Sequence, residues 1–150
     1  NREQLNYVIC GEGPDMPFLQ KLTRQLHLEE RVHLLGYRTD IPDMLGAADI
    51  FCMPSRREGC GMAALEAMAA GLPLITVRSH GTKTYAEKGE SGFCLKGDLV
   101  TSCADAIEQL ADNKLLRRQM GARNRAAATA FSDADRMMLL RGYYQKALGD

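Results

Sequence analysis

Short apolar runs alternate along the chain with stretches in which apolar residues recur every three or four positions. The short runs predict five strands, at residues 7–10, 32–35, 50–53, 74–77 and 92–95. The recurring patterns predict helices between the strands, beginning near Phe18 and covering residues 40–47 and 62–70. Strands that alternate with helices indicate an α/β fold with a doubly wound, Rossmann-like parallel sheet, covered by helices on both faces.

Three more helices are predicted toward the C-terminus. The first follows the last strand, the second covers residues 114–130, and the third begins at Ser132. One helical turn is also predicted over residues 84–88. Because ligands bind beyond the carboxyl ends of the strands in such sheets, the loops after the strands are expected to carry the function. These loops are residues 11–15, 36–40, 54–61 and 78–84.

Composition narrows the possible partners. The 19 basic and 19 acidic residues balance, so charge gives no reason to expect a nucleic acid partner. No apolar run approaches the roughly 20 residues that span a bilayer. None of the five cysteines belongs to a Cys-x-x-Cys pair, and most lie in apolar runs, so small buried side chains are expected rather than a metal site or a disulfide. They are Cys10, Cys52, Cys60, Cys94 and Cys103.

The loop between the third predicted strand and the helix at residues 62–70 contains the most informative pattern. Gly59 and Gly61 bracket a turn there, so no side chain keeps a ligand away from the backbone. The first amides of the helix, near residues 61–63, have no partner within the helix and favour an anion. A diphosphate would suit this position.

Two carboxylates flank the expected anion site. Glu66 is the one charged residue between Gly59 and Val77, and a carboxylate is costly to bury in so apolar a helix unless it is hydrogen-bonded. A ribose diol would be a suitable partner. Alternatively, Glu66 is a structural carboxylate bonded to a nearby loop, and Glu58 is a solvated loop acid. Three nearby cations could either face solvent or contact phosphate: Arg56, Arg57 and Lys83.

The segment Glu-Gly-Cys-Gly, followed by Leu-Glu-Ala-Met-Ala-Ala-Gly-Leu-Pro-Leu, resembles the Glu-x7-Glu motif of retaining glycosyltransferases of the GT-B fold. Glu58 and Glu66 have the spacing of that motif. Shorter matches extend over nearly the whole chain, among them Val-Ile-Cys-Gly-Glu-Gly-Pro and Val-His-Leu-Leu-Gly-Tyr. The sequence around Glu58 is similar to that of transferases that build capsule, exopolysaccharide or lipopolysaccharide.

The resemblance implies roles for particular residues. Glu58 would be catalytic and contact the hydroxyls of the donor sugar, while Glu66 would bind the ribose hydroxyls. Backbone amides would hold the sugar and the diphosphate, and these belong to Gly59, Cys60, Gly61 and Met62. The remaining donor-binding positions are Gly11, Tyr37 and Arg38, the last two in the loop expected near the base. Neither a metal nor a cofactor is implied.

The resemblance also implies partners and a domain organisation. The donor would be a nucleoside diphosphate sugar, most simply a UDP-sugar, and the acceptor a saccharide or a lipid-linked molecule. Residues 1–150 would form part of the C-terminal, donor-binding half of the GT-B fold. The N-terminal acceptor domain and the first strand unit, with an Arg and a Lys that neutralise the diphosphate, would be absent. The resemblance implies a cytoplasmic protein whose parent could associate peripherally with the inner face of the membrane, and a fragment inactive alone.

A missing first strand would leave a gap between the strands at residues 7–10 and 50–53. The two strands could pair directly, recruit another chain, or flank a unit that the natural protein contains, and the third outcome is favoured.

Three other functions remain open. A sugar-nucleotide epimerase of similar architecture would bind the same donors. A dinucleotide-binding domain would explain Gly11-x-Gly13, although Met16 stands where a third glycine is needed. A non-catalytic nucleotide-binding or interaction module is the third.

Overall fold

The computed structural model describes residues 5–59, 61–77 and 90–131. The chain divides into two compact units, Asn1–Ile41 and Pro42–Asp150. The described residues form one sheet in each unit, with two strands in the first and three in the second. The described strands therefore do not form one continuous sheet, and direct pairing of the strand that contains Val8 with the strand that contains Phe51 is not observed.

The first unit consists of β1 (Tyr7–Cys10), α1 (Met16–Gln25) and β2 (Val32–Gly36). The two strands are parallel, with Val8 opposite His33. Pro17 lies in the first turn of α1. Proline has no amide proton, and none is needed here because the first amides of a helix have no acceptor within it. None of the described residues of this unit is buried, so its sheet and helix do not enclose a core of their own.

The second unit contains the larger sheet and most of the helices. Its elements are α2 (Ile41–Ala47), β3 (Phe51–Met53), α3 (Met62–Ala70), β4 (Leu74–Val77), β5 (Gly92–Leu95), α4 (Leu99–Asp112), α5 (Lys114–Ala128) and a 3₁₀ turn (Thr129–Phe131). The strand order is β3-β4-β5 and every pair is parallel. Parallel strands alternating with helices confirm the predicted α/β class.

Residues of β4 alternate between two hydrophobic clusters. Leu74 belongs to the cluster that contains Leu65 and Met68 of α3. Ile75, which points to the opposite side, belongs to the cluster that contains Ala106 and Leu110 of α4. Since successive residues of a strand face opposite sides of a sheet, the sheet of this unit is covered on both faces. This is the doubly wound arrangement that the sequence predicts.

The helix α5 packs against the C-terminal end of α3 through a close backbone contact. A Cβ atom on Gly121 would overlap the carbonyl oxygen of Gly71, the residue that ends α3 with a left-handed φ of 82°. Arg125 Nη2 donates to the carbonyl oxygen of Ala70 at 2.8 Å, which places a positive charge at the negative end of the helix dipole. We refer to these residues, Ala70, Gly71, Gly121 and Arg125, as the α3–α5 contact.

A buried asparagine extends this contact to the sheet. Asn124 is fully buried, and its Nδ2 donates to the carbonyl oxygens of Leu72 at 2.6 Å and Ser91 at 2.8 Å. These two residues lie just before β4 and β5. The helix α5 therefore passes the amino ends of both strands, at the end of the sheet opposite to the loops that are expected to bind a ligand.

The cysteine expectation is wrong for Cys10, which is exposed because it ends a strand in the unit without buried residues. The thiols of Cys52, Cys94 and Cys103 are only half-buried. Cys52 Sγ lies 3.9 Å from Cys103 Sγ, too far for a disulfide bond, and burial raises the pKa of Cys52 to about 12. Cys60, the turn predicted at residues 84–88 and the helix predicted from Ser132 lie outside the described residues.

In the described part of the chain, no helix has the length and apolar character needed to cross a membrane. Within the same residues, no group of three histidine, cysteine, aspartate or glutamate side chains could hold a metal ion.

Candidate functional site

Among the residues that the structure describes, the first backbone amides of α3 have no hydrogen-bond partner. Gly61 caps the helix with a φ of 67° and a ψ of 50°, a left-handed conformation that costs other residues about 1–2 kcal/mol. Its carbonyl oxygen accepts from the amides of Ala64 at 2.9 Å and Leu65 at 3.2 Å. The amides of Met62 and Ala63 lie between this acceptor and Ala64, the first donor of the helix, and have no partner within the helix. This end of α3 can bind an anion.

Glu66 lies on the exposed face of α3, one turn beyond this N-terminus. It shares that face with Met62, Ala63 and Ala69, all of which are exposed. The opposite face is filled by four buried residues, Ala64, Leu65, Ala67 and Met68. The cost of burying a carboxylate in so apolar a helix therefore does not arise for Glu66, because the residues that bury α3 lie on its other face.

The exposed position of Glu66 bears on its two possible roles. Among the residues that the structure describes, none forms a hydrogen bond or an ion pair with the Glu66 carboxylate. In this part of the chain, nothing therefore supports the alternative that Glu66 is a structural carboxylate bonded to a neighbouring loop. A carboxylate that faces solvent beside a helix N-terminus is well placed to accept hydrogen bonds from the hydroxyls of a ligand.

Glu58 lies in a surface cleft on the loop that leads into α3. The cleft has a volume of about 290 Å³ and is lined by Arg56, Arg57, Glu58 and Gly59. Glu58 is half-buried, whereas both arginines and Gly59 are exposed. A Cβ atom on Gly59 would meet nothing within 4 Å, so this glycine leaves open space beside the cleft. Glu58 and Gly59 thus share one concave surface with the two arginines.

The remaining predicted residues lie in the first unit, where the ends of β1 and β2 are linked. The amide of Gly11 donates to the carbonyl oxygen of Gly36 at 2.7 Å, which holds the two loops together. The side chain of Tyr37 is exposed, with 73% of its surface accessible. An aromatic ring presented in this way can stack on a planar ligand.

Arg38 is already engaged by a carboxylate. Its Nε donates to Asp40 Oδ1 at 2.8 Å and its Nη2 to Oδ2 at 2.5 Å, a bidentate pair. The hydrogen bond from Arg38 holds the pKa of Asp40 below its usual value, and Asp40 in turn raises the pKa of Arg38. Arg38 could therefore bind an anionic ligand only by sharing or leaving Asp40. Lys83 lies outside the described residues.

The predicted residues therefore form two groups. Gly11, Tyr37 and Arg38 belong to the first unit, and the residues from Glu58 to Glu66 belong to the second. Sequence reasoning missed Asn124 and Gly121, which support the far end of α3. The available signal was a glycine inside a helix, followed one turn later by an asparagine. Their partners, Gly71 and Leu72, lie about fifty residues away, so the sequence pattern does not identify them.

The model of the family described as "Glycosyl transferases group 1" matches residues 1–127. The chain belongs to this family. Among its curated relatives is the N-acetyl-alpha-D-glucosaminyl L-malate synthase of Bacillus anthracis, which is 35% identical over 119 residues, or 79% of this chain and 31% of the relative. Another is the UDP-Gal:alpha-D-GlcNAc-diphosphoundecaprenol alpha-1,3-galactosyltransferase of Escherichia coli, 35% identical over 111 residues, or 73% of this chain and 29% of the relative.

Solved structures share the fold of this chain. The Anabaena protein HepE, in a complex with UDP-glucose, is 26% identical and superposes with a TM-score of 0.78, covering 85% of this chain and 36% of that one. The chain spans about a third of the length of these relatives. The expected GT-B architecture is thereby confirmed for the part of the fold that this chain represents.

Proposed function

We propose that this chain is the donor-binding portion of a retaining glycosyltransferase that transfers a sugar from a nucleoside diphosphate sugar, most simply a UDP-sugar. The observation that carries the proposal is the arrangement at α3. One loop and one helix carry the amides of Met62 and Ala63, which have no partner within the helix, the exposed carboxylate of Glu66 and the cleft that contains Glu58. These groups match the diphosphate, the ribose and the sugar of such a donor.

In this proposal each group has one partner. The α3 amides bind the diphosphate, with help from the backbone of Gly59 and Gly61, because the helix N-terminus attracts negative charge. Glu66 accepts hydrogen bonds from the ribose hydroxyls, and Glu58 contacts the donor sugar at the reacting end. Tyr37 and the neighbouring Gly11 and Arg38 contact the base. HepE, which has been crystallised with UDP-glucose, supports a nucleotide sugar as the ligand.

The acceptor is proposed to be a saccharide or a lipid-linked molecule, in the synthesis of cell-surface polysaccharide or glycolipid. The name of the Escherichia coli relative includes a diphosphoundecaprenol acceptor, which is lipid-linked. We propose that an acceptor-binding domain lies elsewhere in the parent protein, and that residues 1–150 alone do not catalyse transfer. We also propose that the parent acts in the cytoplasm, at the inner face of the membrane when its acceptor is lipid-linked.

Replacing Glu66 by alanine in the full-length protein tests this assignment. Losing a hydrogen-bonded charged partner costs about 1.5–3 kcal/mol, so the dissociation constant for UDP, measured by calorimetry, should rise roughly 10- to 150-fold. The side chain of Glu66 is exposed, and the variant should therefore melt at nearly the same temperature as the parent.

Asp105→Ala provides the matched control, because it also removes an exposed carboxylate from the middle of a helix. It should leave UDP affinity unchanged. If Glu66→Ala binds UDP as tightly as the control does, Glu66 does not hold the ribose and the proposed site is wrong.

A further inference from the structure

Two thiols of the second unit touch each other where α4 packs on β3. Cys52 Sγ lies 3.9 Å from Cys103 Sγ, although the two cysteines are 51 residues apart along the chain. Heavy atoms within about 4 Å of each other are in direct contact. Both side chains are half-buried and neither is in a disulfide. The fold therefore holds two oxidisable groups side by side.

The packing of α4 on the sheet fixes this contact. Cys52 is paired with Ile75 of β4, and paired residues of neighbouring strands face the same side of a sheet. Cys103 precedes Ala106 by one helical turn and Leu110 by two, so the three share one face of α4. Ile75, Ala106 and Leu110 belong to one buried cluster, and both cysteines pack against it. A strand and a helix, rather than loops, therefore position the two thiols.

The other described cysteines lie elsewhere. Cys94 is paired with Thr76, the residue after Ile75 in β4, so it faces the opposite side of the sheet, toward α3. Cys10 belongs to the first unit. The contact between Cys52 and Cys103 also lies on the face away from α3, which carries the proposed donor site. Oxidation of this pair is therefore independent of the proposed function.

We propose that Cys52 and Cys103 form a redox-active dithiol, which a low-molecular-weight disulfide such as oxidised glutathione converts into an intramolecular disulfide that ties β3 to α4. The Cys103 thiol loses its proton to water, and the thiolate attacks one sulfur of the small disulfide and releases one small thiol. The Cys52 thiol, deprotonated in turn, attacks the Cys103 sulfur of this mixed disulfide and releases the second. The protein loses two electrons and two protons, and the small disulfide is reduced to two thiols.

The surroundings of the pair set the order of these steps. Burial raises the pKa of Cys52 to about 12, which leaves little Cys52 thiolate to begin the exchange. Once Cys103 carries the mixed disulfide, the adjacent Cys52 attacks within the same molecule. The sulfur atoms must then approach from 3.9 Å to about 2.0 Å. Rotation about the Cα–Cβ bonds moves each sulfur while the backbone of β3 and α4 stays in place.

The disulfide would stabilise the second unit. It would close a long loop, since its cysteines are 51 residues apart, and restricting such a loop in the unfolded chain favours the folded state. Thiols in the cytoplasm, where the parent is proposed to act, are kept reduced, and the disulfides that form there are usually transient. The pair would therefore be a dithiol in ordinary conditions and a disulfide during oxidative stress.

The test exposes the folded full-length protein to a glutathione buffer rich in the oxidised form, alkylates the remaining thiols and maps the peptides by mass spectrometry. A peptide pair joined through Cys52 and Cys103 should appear. The oxidised protein should melt higher than the reduced protein by roughly 5 °C or more, and dithiothreitol should reverse both changes. Cys94→Ser is the matched control, because it removes a half-buried thiol from the other face of the sheet, and it should crosslink as the parent does.

Two further variants identify the roles of the cysteines. Cys103→Ser should form no crosslink through Cys52, and Cys103→Ala serves the same purpose if the serine variant does not fold. Cys52→Ser should keep glutathione bound to Cys103, because the second attack is lost. A parent that stays fully reduced, or that crosslinks through another cysteine, overturns the proposal. An oxidised parent that melts no higher than the reduced one also overturns it, because the disulfide would then not tie β3 to α4 in their native arrangement.

Discussion

Replacing Gly121 by alanine has two opposing effects on the free energy of unfolding. Gly121 lies inside α5, and an alanine in a helix interior is more stable than a glycine by about 1 kcal/mol. However, its Cβ atom would overlap the carbonyl oxygen of Gly71 and lie 3.0 Å from the carbonyl carbon. These are backbone atoms at the end of α3, and they cannot turn away as a flexible side chain would.

The packing effect should be the larger. Relieving the overlap requires α3 and α5 to separate, and overpacking of this kind costs about 1–3 kcal/mol. Separation would also stretch the hydrogen bonds from Arg125 to Ala70, now 2.8 Å, and from Asn124 to Leu72, now 2.6 Å. We therefore expect Gly121→Ala to lower the free energy of unfolding by up to about 2 kcal/mol.

Urea denaturation followed by far-ultraviolet circular dichroism can measure this change, since the chain contains no tryptophan for fluorescence. Ala122→Gly is the control, because Ala122 is the exposed neighbour in the same helix. The free energy of unfolding of Ala122→Gly should be lower by about 1 kcal/mol, because glycine has the lower helix propensity. A Gly121→Ala protein that is more stable than the parent would refute the close packing of α5 on α3.

Two further predictions concern other polar residues of the second unit. Asn124→Ala should lower the free energy of unfolding by about 2–4 kcal/mol, because each buried hydrogen bond is worth about 1 kcal/mol and the carbonyl of Leu72 loses its donor. Urea denaturation beside the exposed-site control Arg123→Ala checks this, and equal stability of the two variants would contradict it. At Asp98, the N-cap of α4, the hydrogen bond from Thr101 lowers the pKa below its usual 3.8. Its stabilising contribution is therefore present above pH 3.8 and is lost as the pH falls toward the folded-state pKa. Melting temperatures measured across this range should fall more steeply for the parent than for Asp98→Asn, and parallel curves would show that this carboxylate has no such effect.

The sequence predicts the strands and helices of this chain well wherever local patterns determine them. Strands β1, β4 and β5 begin and end at the predicted residues, and α3 covers residues 62–70 before Gly71. A glycine with a left-handed φ ends a helix without strain, so this boundary is determined by local chemistry and can be recognised without the rest of the fold.

The placement of side chains depends on distant residues and is harder to predict. Alanine suits both sides of a helix, so the alanines around Glu66 could not reveal which face of α3 is buried. The structure shows the buried face to be the one that meets Leu74 and Phe51. The bidentate pair between Arg38 and Asp40 was likewise missed, although the two are only two residues apart, because rotamers decide whether such neighbours meet.

The α3–α5 contact also determines which segments can be exchanged between related transferases. A chimera that takes residues 54–71 from a relative, to change donor preference, would join a foreign α3 to the α5 of this chain. Residue sizes at positions 71 and 121 would then have to match, and Arg125 would have to reach a carbonyl that the foreign helix presents. Donor specificity in this fold should therefore be transplanted as a module that extends through Ala128, and shorter grafts should give proteins with a displaced α3.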